Sequence, residues 1–287
     1  MKKKRILALF LAAVSCLSLA VSASAANTVA RKATDFRDFD KSAWYAEAVS
    51  AAVDNGLLYG KSSTIIDPNG DMTRAEMAAI INRSFGCYKT ADISQYNDVS
   101  KSKWYYKDVA LAVQMGTYNG RSASAMAPDA PISRQEAMTV VARALELDYD
   151  SYSKTDLSAF SDRSDISSWA LPYVRAMVGA DYIHGRGKIL APLENITRSE
   201  FAQIFFNIIG TYITAKGTYD KDIQGSALIR ADDVTLQNMT VDGDLIIGCG
   251  AADGKITLDN VTVKGRLLVW GGGTKAIYCN KSEAKRS

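Results

Sequence analysis

The stretch "MTRAE" (residues 72–76) decides how most of the chain is read. Thr73 is a good N-cap and Glu76 stands three residues later, the reciprocal pattern of a capping box, so a helix starts here. Arg74 then falls in the first turn, where unpaired backbone N–H groups and the macrodipole already make the site positive. A cation there opposes the helix. The same arrangement returns as "ISRQE" (132–136) and "ITRSE" (196–200). Three arginines misplaced in one register need a physical reason.

Working outward from these boxes exposes an internal repeat. Arg74, Arg134 and Arg198 are spaced by 60 and 64 residues, and Trp44, Trp104 and Trp169 align with them. So do Asp38, Asp98 and Asp162, and so do Pro68, Pro128 and Pro192, each six residues before its arginine. Gly60, Gly120 and Gly185 also coincide, each followed by a cation: Lys61, Arg121 and Arg186. Such self-similarity marks repeated supersecondary units. Each unit reads as two helices joined by a loop. The first starts near the tryptophan, where Ala48, Val49, Ala52 and Val53 fall on one helical face. Gly56 and Gly116 suit a left-handed stop, and Asp181 is a poorer one in the third unit. The second starts at the capping box and carries Met77, Ile80 and Ile81, or Met138, Val140 and Val141, or Phe201, Ile204 and Phe205. One such pair cannot bury its own apolar face, so the three share a core.

Phe36-Arg37-Asp38, Tyr96-Asn97-Asp98 and Phe160-Ser161-Asp162 open the units, and the tryptophan, glycine loop and Thr-Arg-Ala-Glu start follow. This series resembles the S-layer homology family in three repeats, at 36–86, 96–147 and 160–210. The resemblance implies a pseudo-threefold bundle with the second helices at its centre. It also implies grooves between repeats that bind secondary cell-wall polysaccharide, notably pyruvate-ketal sugars, and so anchor an exported protein without catalysis. The ketal carboxylate would answer the opening question: free N–H groups at a helix start form an anion site, and an arginine beside them adds a charge-assisted contact. On that reading Arg74, Arg134 and Arg198 weaken the empty helix and strengthen the liganded one. Thr73, Ser133 and Thr197, with Lys61, Arg121 and Arg186, complete each ligand site. Gly60, Gly120 and Gly185 allow close backbone approach, and Glu76, Glu136 and Glu200 serve the cap. Trp44, Trp104 and Trp169 offer either a face for a sugar ring or core packing. The arginines could instead pair with a carboxylate such as Asp38. The third repeat departs furthest from the pattern, with an extra residue before Trp169 and one fewer before Arg198.

The N-terminus reads as a secretory signal peptide over residues 1–25. Lys2, Lys3, Lys4 and Arg5 precede the apolar run "ILALFLAAVSCLSLAV" and the cleavage signal Ala23-Ser24-Ala25. Its removal takes four cations and leaves 30 basic against 31 acidic residues, so no charge excess invites nucleic acid. No membrane attachment is expected after cleavage. Cys87, Cys249 and Cys279 are too few and scattered for a zinc site or a disulfide framework, although Cys249 and Cys279 could pair. No cofactor or metal is called for.

After residue 218 the period changes. "VTLQNMTVDGDLII" (234–247) and "ITLDNVTVKGRLLV" (256–269) match at a 22-residue offset, aligning Leu236 with Leu258, Asn238 with Asn260 and Gly243 with Gly265. Alternation around a fixed Asn and Gly suggests strands joined at tight corners, and resembles coils of a parallel β-helix with stacked asparagines over 218–287; a β-meander or small sandwich is the other reading. Leu236, Leu258, Ile247 and Val269 should then point inward. The expected class is a mainly α bundle with a small C-terminal β-solenoid. The solenoid's last edge, near Tyr278, should be the least stable region and open to self-association or a surface-protein partner. Because many β-helices act on polysaccharides, a wall-anchored lyase or hydrolase with a truncated β-helix is the rival function. Against it, the chain lacks G-x-S-x-G, and its only histidine, His184, lies in a loop.

Overall fold

The structure is a computed structural model that describes residues 31–86, 89–248, 251, 254–271 and 277–285. The expected signal peptide (1–25), Cys87 and Cys249 lie outside the described residues; Cys279 is exposed. Among the described residues six α-helices follow in order: α1 (Ala46–Asp54), α2 (Arg74–Phe85), α3 (Tyr106–Gln114), α4 (Arg134–Ala144), α5 (Leu171–Gly179) and α6 (Arg198–Ile208). Each repeat supplies a short first helix and a second that begins at its arginine. The first helices bury one stripe, in α1 the set Ala48, Val49, Ala52 and Val53. They stop at left-handed residues, Gly56 (φ 67°), Gly116 (φ 70°) and Asp181 (φ 63°). Aspartate tolerates that conformation less well than glycine but better than most residues.

The repeats close into a ring. α3 packs on α2, α5 on α4, and α1 returns to pack on α6. At the centre three fully buried residues just ahead of the second helices bond in a cycle. Met72 N–H donates to the Ile196 carbonyl, Ile196 to Ile132 and Ile132 to Met72, each at 3.0 Å. Backbone polar groups that reach a core must find partners, and a closed cycle satisfies all three donors without water.

Among the described residues eight strands follow α6: β1 (Thr211–Ile213), β2 (Gly217–Tyr219), β3 (Ala227–Ile229), β4 (Val234–Val241), β5 (Leu245–Ile247), β6 (Ile256–Val269), β7 (Ile277–Asn280) and β8 (Glu283–Lys285). Every ladder is parallel, in the order β1-β3-β5-β6-β4-β2, with β7 and β8 also on β6. The 22-residue offset is the pairing register of β4 on β6, Leu236 opposite Leu258. Asn238 and Asn260 turn left-handed corners (φ 51° and 57°), and the Asn260 Nδ2–H donates to Asn238 Oδ1 at 2.9 Å. Leu236, Leu258 and Ile247 are buried within the curl, whereas Val269, expected inside, is 48% exposed at the far end of β6.

The expected class, a mainly α protein with a small solenoid, is overturned. The described residues are 28% helical and 20% strand, and the C-terminal part is a curled parallel half-barrel sheet. The helices are only 9–12 residues long, with extended loops between them. Nor does the sheet stand apart. Leu228, Ile246 and Leu268, neighbours across β3, β5 and β6, point away from the curl into the helical core. Basic and indole groups of the sheet then meet helix C-termini. Arg266 Nη1 donates to the carbonyls of Leu145 (2.8 Å) and Glu146 (3.1 Å), and Trp270 Nε1 to that of Ala144 (2.9 Å). Arg230 donates to the carbonyl of Asn55. These cations sit at the negative ends of α4 and α1, where dipole and unpaired carbonyls both favour them. Gly248 lies against the end of α2: a Cβ there would come within 2.1 Å of the Ser84 carbonyl oxygen.

Candidate functional site: the grooves between repeats

The arginines are where the sequence puts them and not as it implies. Arg74, Arg134 and Arg198 are only 4%, 5% and 2% exposed. Each crosses to the next repeat. Arg74 donates from Nε to the Met126 carbonyl (2.9 Å), from Nη2 to that of Asn119 (2.8 Å), and from Nη1 to Glu136 Oε1 (3.0 Å). Arg134 repeats this with the Leu190 carbonyl (2.8 Å) and Glu200 (3.0 Å). Arg198 closes the ring on repeat 1 through the Ile66 carbonyl (2.9 Å), Glu76 (3.2 Å) and the Tyr59 carbonyl. A buried guanidinium demands such full pairing. The partner of each misplaced cation is thus the capping-box glutamate of the next repeat, and the expected pairing with Asp38 does not occur.

The helix starts are not free anion sites either. Arg74 N–H donates to the Ala130 carbonyl (3.0 Å) and Ala75 N–H to that of Pro128 (2.8 Å). Glu76 N–H goes to Thr73 Oγ1 (3.2 Å), and Thr73 N–H to Glu76 Oε2 (3.0 Å). α4 is capped likewise by Glu194, Pro192 and Ser133, and α6 by Gly70, Pro68 and Thr197. Every donor of the first turn is used inside the ring, which removes the anion site expected at the bare helix end.

The remaining shared residues build the same junction. Asp38 holds the Ile66 and Asp67 N–H groups (2.9 and 2.8 Å), Asp98 those of Met126 and Ala127, and Asp162 those of Leu190 and Ala191. This fixes Asp67, Ala127 and Ala191 in left-handed turns (φ 54°, 54° and 51°) and aims the preceding carbonyl at the incoming arginine. Gly60 and Gly120 are needed because a Cβ would meet the Phe36 or Tyr96 ring at 2.4 or 2.5 Å; at Gly185 Phe160 stands at 2.7 Å. The close approach these glycines permit is to an aromatic ring of their own repeat.

Each glutamate is the hub of one groove wall. Glu136 takes Arg74 on one side and Arg121 (3.3 Å) on the other; Glu200 takes Arg134 and Arg186 (2.5 Å), and Glu76 takes Arg198 and Lys61 (2.8 Å). Burial works to raise these carboxyls. The bonds from the loop cations and cap N–H groups, with the buried arginines' charge, outweigh it and hold all three below their ordinary value. Two cations face one carboxylate in the Glu136 and Glu76 walls, which stay positive, whereas in the Glu200 wall Arg186 also pairs with Glu194 and the charges balance.

Trp44, Trp104 and Trp169 precede the first helical turn rather than lying on its buried stripe, and are 63%, 61% and 50% exposed. Core packing is therefore not their role. Two of them border grooves. Trp169 of repeat 3 faces Asn119, Gly120, Arg121, Glu136 and Arg143 of repeat 2 across about 390 Å³. Trp44 of repeat 1 faces His184, Gly185, Arg186, Glu200 and Asn207 of repeat 3 across about 410 Å³. The third repeat, which departs furthest in sequence, thus keeps an open groove. In repeat 1 the Arg83 guanidinium lies 3.9 Å from the ring centre of the exposed Tyr59. Thr139, Arg143, Gln203 and Asn207 also line the two grooves, and sequence reading passed them over. Their signal was available: they stand five and nine residues after each arginine, on the helical face of the glutamate.

An S-layer homology domain model matches residues 35–78, 95–138 and 159–202. The chain is 35% identical over 195 residues to the Surface-layer 125 kDa protein of Lysinibacillus sphaericus, covering 66% of this chain and 16% of that protein. Against the S-layer protein sap of Bacillus anthracis it is 22% identical over 187 residues (65% and 23%), and against the Exoglucanase XynX of Acetivibrio thermocellus 27% over 184 residues (63% and 17%). The chain thus spans less than a quarter of the length of these relatives. It carries three tandem S-layer homology domains, the mark of a secreted protein attached to the cell wall.

Proposed function

We propose that the protein anchors itself by holding an anionic wall polysaccharide, with pyruvate-ketal sugars the best fit, in the grooves between repeats, and that it does so without catalysis. The observation that carries this is the pairing of an exposed tryptophan on one repeat with a loop arginine on another, at Trp169 with Arg121 in a net-positive wall and at Trp44 with Arg186, whose charge Glu200 and Glu194 share. A solvent-exposed indole is a ready stacking face for a sugar ring, and the loop arginine a ready partner for its carboxylate. On this reading the contact residues are Trp44, Trp169, Arg121 and Arg186. Arg74, Arg134 and Arg198, the three capping hydroxyls and the three glycines shape the groove from behind. Export by the N-terminal leader brings the chain to the wall.

The grooves suit binding better than hydrolysis. Each is lined by one carboxylate, Glu136 or Glu200, already committed to a cap and two arginines. Glycoside hydrolysis in general uses two, one of them held protonated as the acid. The test is a pull-down of the mature chain with wall sacculi before and after chemical removal of the non-peptidoglycan polymer. Sedimentation with intact sacculi alone is expected. Equal sedimentation with both, or release of sugar from the polymer, overturns the reading.

A further inference from the structure

We infer a second anion site, separate from the grooves: a pocket on the third repeat that takes a phosphoryl group. The pocket, about 400 Å³, lies between the segment that links repeats 2 and 3 and helix α5, and Lys154, Arg163 and Arg175 line it with Thr155. Three cations meet there around one carboxylate. That carboxylate, Asp156, is turned to its own chain, accepting from the Ser158 N–H (2.8 Å) and hydroxyl (2.7 Å). Among the described residues no carboxylate comes within ion-pair distance of any of the three cations. Arg163 has one long bond, to the Phe160 carbonyl at 3.4 Å, and the buried Arg175 Nε has no partner at all.

The arginines of the ring junctions and of the sheet's dock are held differently. Arg74, Arg121, Arg134, Arg186, Arg198 and Arg266 are each paired with a carboxylate. A buried N–H donor without a partner is destabilising, and converging cations repel one another, so an empty pocket of this kind is poorly explained by folding. Repetition does not account for it either. Arg163 replaces Phe39 and Val99 of the other repeats, and Arg175 replaces Ser50 and Ala110. An oxyanion resolves both costs, since a guanidinium donates in a fork that fits two oxygens of a phosphate and a lysine adds charge beside it. A net excess of two positive charges matches a phosphoryl group better than a single carboxylate.

The shared chemistry is a phosphate, free in solution or carried on a polymer. Calorimetric titration of the mature chain at low salt with inorganic phosphate, and separately with a glycerol phosphate oligomer, distinguishes the two sources. Saturable binding is expected, weakened at least tenfold by Arg175→Gln and several-fold by Lys154→Gln, and unchanged by Lys221→Gln, an exposed lysine outside the pocket and the grooves. The Lys154 variant alters an exposed side chain, so it reports on the site even if the Arg175 variant folds poorly. The tighter of the two probes names the source. Absence of saturable binding, or equal binding by Lys154→Gln and the parent chain, overturns the inference.

Discussion

At the scale of single residues, the arginine of each capping box and the tryptophan of each repeat separate cleanly by burial. Arg74 is sealed at a junction, so Arg74→Ala leaves Glu136 with only Arg121 and its cap and takes a donor from two carbonyls. Removing one member of a buried, fully bonded ion pair costs about 3–5 kcal/mol. Thermal melting of Arg74→Ala should show that loss, which reverses what the bare helix dipole suggests. Trp169→Ala removes an exposed ring, and should change stability by under about 0.5 kcal/mol while reducing sedimentation with sacculi. A variant pair with these effects exchanged would place the ligand at the arginine. The glutamates add a dependence on acid. Their folded carboxyls titrate below the ordinary 4.5. The unfolded chain therefore takes up protons first, and the stability they contribute is complete above that value and lost as pH falls through the folded ones. Melting temperature should drop on acidification below pH 4.5, and less steeply in Glu136→Gln. An equal slope in the two proteins would mean that the junction carboxylates do not govern acid unfolding.

Among elements, the helix ends show how the sheet is held. α4 finishes against Arg266 and Trp270, α1 against Arg230, and α2 against Gly248. Arg266 also pairs with the buried Asp244 at 2.6 Å, so Arg266→Ala removes a helix cap and strands a carboxylate in one step. A loss of about 3 kcal/mol is expected, with hydrogen exchange rising together in β5, β6 and the last turn of α4. Faster exchange in the strands alone would show that sheet and helices open separately, as the sequence led one to expect. The reason that expectation missed the docking is physical. β4 and the first half of β6 have one face in the curl and one in solvent, so their alternation and 22-residue offset are visible in the residues. β3 and β5 are buried on both faces, by the curl on one side and the helical core on the other. "ALI" and "LII" therefore carry no alternation, and nothing in three apolar residues tells which neighbour they meet. The capping boxes were legible for the opposite reason: both members of each box lie within four residues, and the bond is local. Their second partner, an arginine 62 residues away in the case of Glu136, has no local trace.

The whole molecule differs from a stack of repeats in having no end. In an open array each unit touches only its neighbours, and the terminal units fray first. Here repeat 3 returns to repeat 1 through Arg198 with Glu76, through the Met72–Ile196 bond at the centre, and through α1 packed on α6. All three junctions are equivalent in kind, so none is a weak point from which unfolding can start, and each second helix is pinned at both neighbours. Breaking any one junction should therefore release the ring as a unit. For the parent chain, calorimetric and van't Hoff enthalpies should agree across the helical part. For Arg198→Ala, the altered contact lies between repeats 3 and 1, yet protection against hydrogen exchange should fall by a similar amount in α2, α4 and α6. α4 is the informative helix because it touches neither partner of the mutated contact. Protection in α4 that stays at the parent level while α6 and α2 loosen would show that the repeats melt one by one, and that the ring closes without cooperating.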